Sequence, residues 1–375
     1  MTPFAISTPQ RILFGRREAT KAPAMILGFG GRGIVVHGAN RARAEWLISG
    51  LGSDAMALSC AGEPTIVNLK DALKIARAHA PLWVAAIGGG AVLDMGKALA
   101  ALIPSVSDPL DHLEGVGRGL PLIAAPLPFI AIPTTAGTGA EATRNAVIGV
   151  PEHACKVSLR DERMIARIAF VDPELTDHCP RAVTLASGLD ALTQVIEPYV
   201  SCKATPYTDA LTLPTIAEGL AALRRLMEGE DAEARDRMAW MSLSGGLALS
   251  NSGLGAVHGF AGVIGGMTGA AHGAICGALL GPVLAANRAA ASGAALARLD
   301  RVCAILGAEF DCAPSDAPLV LQGWARQEGL PDLSGLGVRP ADHERIAVAA
   351  LGTSSMKGNP VGLTVAALRK VLEQA

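Results

Sequence analysis

Gly88-Gly89-Gly90 stands where an apolar run, Leu82 to Ile87 (LWVAAI), stops and a helical pattern, AVLDMGKALAAL, begins. A strand, a turn of bare glycines and a helix make one βα unit, and such units build parallel sheets flanked by helices. The same grammar recurs through the first half. Gly33 to Gly38 (GIVVHG) reads as a strand and Arg41 to Leu51 as the helix after it. Pro128 to Pro133 (PFIAIP) is a third strand, running into TTAGTGAE, and Ile168 to Val171 a fourth, stopped by Asp172-Pro173. Beyond about residue 178 the β-branched clusters thin out. Residues 183–200, 206–227, 231–249 and 273–287 then read as long helices rich in Ala and Leu. The expectation is an α/β N-terminal Rossmann-like domain with a parallel sheet over residues 1–178, and an all-α C-terminal domain over 179–375.

Length and composition bound the alternatives. A chain of 375 residues accommodates two cores. Half the residues are hydrophobic, yet no run of 18 lacks a charge or a turn. The richest stretch, HGAICGALLGPVLAANRAAA, is broken by Pro282 and Arg288 and reads as a buried helix, so no membrane partner is expected. The first 25 residues carry charges and prolines and lack a cleavable signal pattern. Thirty-two basic against 34 acidic residues leave a formal charge of -2, which gives no reason to expect nucleic acid. Seven scattered cysteines without a CxxC pair suggest buried thiols in a reducing cytoplasm.

Two loops have the chemistry of a nucleotide site. A glycine admits a phosphate to the backbone N–H groups, and a helix N-terminus adds partial positive charge. Gly88-Gly89-Gly90 supplies both, with Asp94 placed to cap the helix or to take a ribose hydroxyl. A tight βα turn is the plainer reading of that loop. IAIPTTAGTGAEAT adds hydroxyls and glycines at a second strand end, and in an open parallel sheet ligands bind beyond the carboxyl ends of the strands.

A second constellation lies in the helical half. Asp190 and Gln194, at i and i+4, share a helix face. His258 and His272 are fourteen residues apart, and a straight helix would separate them by roughly 21 Å, so the chain has to turn between them. Gly262, Gly265, Gly266 and Gly269 allow that turn. Carboxylate with imidazole suits Fe(II), Zn or a similar ion. A satisfied core histidine is the plainer reading of either imidazole alone, and of His37, His79, His112, His153, His178 and His343.

Almost end to end, the chain resembles the iron-containing (group III) alcohol dehydrogenases, which share their architecture with glycerol dehydrogenase and dehydroquinate synthase. The motifs are GGGAVLDMGK (88–97), PTTAGTGAE (133–141), DPEL (172–175), GLDALTQVIEPYVS (188–201), ATPYTDAL (204–211) and the 258/272 histidine pair. The resemblance implies a cleft between the two domains, NAD or NADP on the glycine and threonine loops, and a divalent metal, Fe2+ or Zn2+, on the helical side. By position it assigns Gly38, Gly89, Gly90, Asp94, Thr134, Thr135, Thr138 and Lys156 to the cofactor. Asp190, His258 and His272 become metal ligands that act catalytically through the metal, with Gln194 at the place of a fourth. It also implies a small alcohol or aldehyde as substrate and a cytoplasmic homodimer.

The departures are specific. The family's D-x-x-x-H ends here in Gln194, a second histidine four residues after the first metal ligand is Gly262, and the loop serines are Ala91 and Ala140. Where many members carry an Asp selective for NAD the chain has Gly38, with Arg41 and Arg43 nearby, which permits NADP. SSMKGNP (354–360) is similar to maleylacetate reductases, with Lys357 a candidate for an acidic substrate. Three alternatives follow: a maleylacetate reductase-like enzyme, a nucleotide-binding remnant with a degraded metal site, and a lyase of the dehydroquinate synthase type.

Overall fold

The computed structural model describes residues 3–375, so the first two positions of the expected 1–178 domain lie outside the described residues. The chain divides into an α/β unit, Ser7–Thr135 with Gly139–Thr176, and a helical unit. The helical unit comprises Asp177–Ala375, the residues up to Ile6 and Ala136–Thr138.

In the α/β unit the elements run β1 (Arg11–Phe14), α1 (Ala22–Leu27), β2 (Gly33–His37), α2 (Glu45–Leu51), β3 (Ala55–Ser59) and α3 (Ile66–His79). They continue as β4 (Trp83–Gly88), α4 (Gly90–Leu102), β5 (Phe129–Pro133), β6 (Asn145–Val150), β7 (Cys155–Arg160) and β8 (Ile168–Val171). Six strands form one sheet in the order β1-β8-β5-β4-β2-β3, and every pair in it is parallel. The remaining two strands, β6 and β7, form a separate antiparallel hairpin.

Burial on both faces explains why the central strands read as unbroken apolar runs. Along β4, Val84 and Ala86 join Leu69, Leu73, Leu93 and Leu99 on one face. Trp83, Ala85 and Ile87 join Ile26, Leu47 and Leu51 on the other. The connection from β2 leads to β3 on one side, and the next crosses back to β4 on the other. The strand order therefore reverses between β2 and β4, the place where open α/β sheets leave a crevice at their carboxyl ends.

The helical unit holds α5 (Arg181–Val200), α6 (Pro206–Glu228), α7 (Ala232–Ser252), α8 (Ala256–Thr268) and α9 (His272–Ala290). After these come α10 (Gly293–Phe310), α11 (Ala317–Gln327), α12 (His343–Leu351) and α13 (Val365–Gln374). Helix α5 is the hub, packed on α6, α7 and α9, and from Gly188 to Val200 every residue of it is buried. Apolar side chains of α5 to α13 make one continuous core. Helix α9 is long and apolar enough to cross a bilayer by composition alone, but two-thirds of it is buried among the other helices.

Candidate active site

The site starts from the spacing of α5. Asp190, Gln194 and Glu197 fall at i, i+4 and i+7, on one face, and all three are buried. His258 sits on the first turn of α8. That helix ends at Gly269, whose φ of +71° reverses the chain, and α9 begins three residues later with His272. The turn between the histidines is therefore made at Gly269, whereas Gly262, Gly265 and Gly266 remain helical. The two imidazole centroids come to 5.3 Å. A side chain on Gly273 would be 2.3 Å from the carbonyl oxygen of Ala186, so only glycine lets the start of α9 lie against α5.

These placements gather Asp190, His258, His272 and Cys276, with one donor atom of each within 4.8 Å of all the others. Asp190 Oδ1 is 3.4 Å from His258 Nε2 and 3.8 Å from His272 Nε2. Cys276 Sγ is 4.0 Å from His258 Nε2 and 3.7 Å from His272 Nε2. A tetrahedron with metal bonds of about 2.0–2.3 Å sets its donors about 3.3–3.6 Å apart. The cluster is therefore slightly wider than a closed coordination shell, and the donors fit a divalent cation.

Supporting contacts orient this cluster. His258 Nδ1 pairs with Glu197 Oε2 at 2.7 Å, which leaves Nε2 to face Asp190. Glu197 Oε1 accepts the backbone N–H of Val257 at 2.7 Å. The neighbouring N–H, of Ala256, goes to Asn359 Oδ1, and Asn359 is locked to Asn287 of α9 by reciprocal amide bonds of 2.7 and 3.1 Å. Gln194 donates from Nε2 to Asp190 Oδ1 (3.1 Å) and to the Gly137 carbonyl (3.0 Å), while its Oε1 is buried without a partner.

Electrostatics points the same way. Burial pushes the Asp190 carboxyl up, but the imidazoles of His272 and His258 overcome that and hold it below the ordinary range. Burial pulls both imidazoles down, yet the charges of Cys276 and Asp190 prevail. His258 is raised well above its usual value and His272 to about 9. A pocket that holds protons this firmly has a negative potential that a divalent cation satisfies as well.

The expected cofactor residues all fall in or beside the loops at the carboxyl ends of β2, β4 and β5, apart from Lys156. Gly38 follows β2, and Gly89 is the N-cap of α4, which has no side-chain cap. A Cβ on Gly89 would be 3.3 Å from Thr135 Oγ1, and Thr134 N bonds to the Gly88 carbonyl, so the two loops are neighbours. Thr138 belongs to the segment that groups with the helical unit. Asp94 is engaged with protein groups: Oδ1 pairs with Lys97 Nζ at 2.9 Å and Oδ2 accepts from Val147 N at 3.0 Å. Lys97, wholly buried, also donates to Thr143 Oγ1 and to the Asn145 carbonyl. Lys156, on β7, is ion-paired with Glu63.

Two functional candidates were not in the sequence reading. Cys276 is i+4 from His272 and Glu197 is i+7 from Asp190, spacings that a search along helix faces would have found. SSMKGNP, in contrast, serves here as structure. Asn359 fastens α8 to α9, the Lys357 carbonyl accepts from Cys202 Sγ, and the side chain of Lys357 is exposed.

Comparison with known proteins shows the family. The model for the iron-containing alcohol dehydrogenase family matches residues 9–173, and the model for its C-terminal region matches 184–375. Alcohol dehydrogenase 4 of Saccharomyces cerevisiae is 35% identical over 318 residues, covering 83% of this chain and 81% of its own. Lactaldehyde reductase of Escherichia coli is 35% identical over 302 residues, 79% and 78% of the two chains. Among solved structures, an alcohol dehydrogenase from Oenococcus oeni superposes with a TM-score of 0.86 at 28% identity, covering both chains fully. A 1,3-propanediol oxidoreductase gives 0.87 at 26%, again over both whole chains. The chain belongs to the iron-containing alcohol dehydrogenase family, a family of oxidoreductases.

Proposed function

We propose that this chain is an NAD(P)-dependent, metal-dependent dehydrogenase that interconverts a small alcohol and its aldehyde or ketone. The observation that carries the reading is the convergence of Asp190, His258 and His272 from three helices. In a family of oxidoreductases, such a site has a ready use.

Asp190, His258 and His272 would hold the ion. A divalent cation there supplies a Lewis acid that favours negative charge on a substrate oxygen. Glu197 would keep one proton of His258 on Nδ1, so that Nε2 is the nitrogen freed for the ion once its own proton is displaced. Gly89 and Gly90 would hold the cofactor's pyrophosphate through backbone N–H groups at the α4 terminus, and Thr134, Thr135 and Thr138 would offer it hydroxyls. Gly137, whose carbonyl accepts from Gln194, is two residues past Thr135 in the chain.

A bound NAD(P)+ would supply the hydride acceptor, and the proton of the alcohol would have to leave to solvent. Gly262 leaves no imidazole at the position where the family's second histidine stands, so Asp190, His258 and His272 have no titratable neighbour one turn on in α8 to take that proton. A Cβ at Gly38 would make only an ordinary contact, 3.8 Å from Val92, so the missing carboxylate is a matter of charge and not of space. That favours tolerance of a 2′-phosphate. Arg41, however, is committed in part to Glu45 at 3.1 Å.

The test is a panel of small alcohols and aldehydes with purified protein, NAD(P)+ or NAD(P)H, and added Fe(II) or Zn(II). The expected result is metal-dependent formation or loss of the reduced cofactor's absorbance. Cofactor binding without turnover on any member, with any metal, would sink the proposal.

A further inference from the structure

We propose that Cys276 is the fourth protein ligand of the divalent cation, bound as a thiolate, and that Gln194 stays outside the shell and positions Asp190. This rests on the metal-site reading above and specifies which chemistry completes it. The geometry argues first. Cys276 is fully buried, and its Sγ stands 3.7 and 4.0 Å from the two imidazole nitrogens that face Asp190. Those separations are close to the sulfur–nitrogen edges of a tetrahedral site, about 3.5 Å. One helical turn fixes the pairing, since His272 and Cys276 are i and i+4 at the start of α9.

The orientation of Gln194 argues second. Its NH2 group lies between two acceptors, Asp190 Oδ1 and the Gly137 carbonyl. Turning the amide over would set its oxygen against both of them and lose both bonds. A buried polar group pays heavily for such an exchange. Gln194 therefore steadies the carboxylate through a donor that cannot bind a cation.

Charge argues third. One carboxylate and one thiolate with two neutral imidazoles balance a divalent ion, where a third imidazole would leave the centre positive. As the cation binds, the S–H bond of Cys276 breaks and the second proton held by each imidazole is displaced as well, all of them leaving to solvent. A thiolate in the set moves preference from iron toward zinc, because the softer donor suits it better.

The decisive measurement is zinc K-edge X-ray absorption on the full-length, zinc-loaded protein, with cobalt(II)-loaded protein alongside. One sulfur scatterer at about 2.3 Å and a near-ultraviolet thiolate-to-cobalt charge-transfer band are expected. Cys276→Ser should lose both signatures and weaken zinc binding by about a hundredfold, with an unchanged circular dichroism spectrum. Gln194→Ala should keep both. A bound metal with only nitrogen and oxygen neighbours overturns the assignment of Cys276 while leaving the metal site standing. Failure to bind zinc or cobalt at all overturns the assignment and the metal site together. Loss of the sulfur signature in Gln194→Ala but not in Cys276→Ser would place the sulfur elsewhere and also refute it.

Discussion

At His258 a single proton decides what the ring can do. Glu197 Oε2, 2.7 Å from Nδ1 and itself anchored by Val257 N, favours the proton on that nitrogen, so the proton a cation would displace is the one on Nε2. Burial decides a different matter at Glu141, in the threonine loop of the α/β unit. Desolvation lifts its carboxyl to about 7 against the opposing pull of its own backbone N–H and of Lys97. The folded chain then keeps a proton that the unfolded chain loses near pH 4.5. Stability from this group is present in full below that pH and is lost as the pH rises through about 7. The linked loss is roughly 3 kcal/mol at most. Glu141→Gln should flatten denaturant stability between pH 5 and 8 and exceed the parent at pH 8. An unchanged slope would show that another group carries it.

Single residues also explain what the sequence displayed and what it hid. Asp190 was singled out by the motif GLDALTQVIEPYVS, and His258 and His272 by their spacing across a glycine-rich segment. Cys276 was hidden because one thiol among seven scattered ones looks like core, and only the fold puts it beside two imidazoles.

Elements act through how closely they approach. Helices α5 and α9 meet at Gly273, where an added Cβ would press on the Ala186 carbonyl at 2.3 Å, whereas Gly323 in α11 has nothing within 4 Å of such an atom. Gly273→Ala is expected to cost about 2–3 kcal/mol by overpacking and to loosen metal retention. Gly323→Ala should gain about 0.5–1 kcal/mol from helix propensity. Denaturant titration of both variants checks the contrast, and equal effects would refute the packing argument.

Strands buried on both faces announced themselves as apolar runs ended by glycine or proline, and β2, β4, β5 and β8 could be read in that way. Strand β1 (RILF) is largely exposed and begins with a charge, and β3 (AMALS) has no β-branched residue. The hairpin β6–β7 carries Asn, Lys and Arg among its apolar positions. None of these gave a periodicity to recognise. The histidine pair demanded a reversal, but four glycines offered themselves, and only the positive φ of Gly269 distinguishes the one that makes it.

At the scale of the molecule, the two candidate ligands address different units. The proposed nucleotide contacts belong to the α/β unit except for Thr138, and the donor cluster belongs entirely to the helical unit. Metal binding should therefore slow hydrogen exchange in α5, α8 and the start of α9, and NAD(P) should slow it around residues 88–96 and 133–135. At a hundred times Kd the stabilisation available is about 2.7 kcal/mol, or about a hundredfold in protection. Exchange in α5 and α8 that is indifferent to chelation would remove the cation from its proposed place. The fold class was legible because a parallel sheet and a helical bundle differ in residue type along their whole length. The segment Ala136–Thr138 was not, because three residues carry no composition of their own.

Asn359 has a consequence in time. It fastens the first turn of α8, and it follows Asp190 by 169 residues along the chain. During synthesis the amino-terminal sheet can form while the ion's pocket still lacks its clasp. A nascent chain that has released Asp190 but not yet Asn359 would hold the proposed pocket with one wall undone.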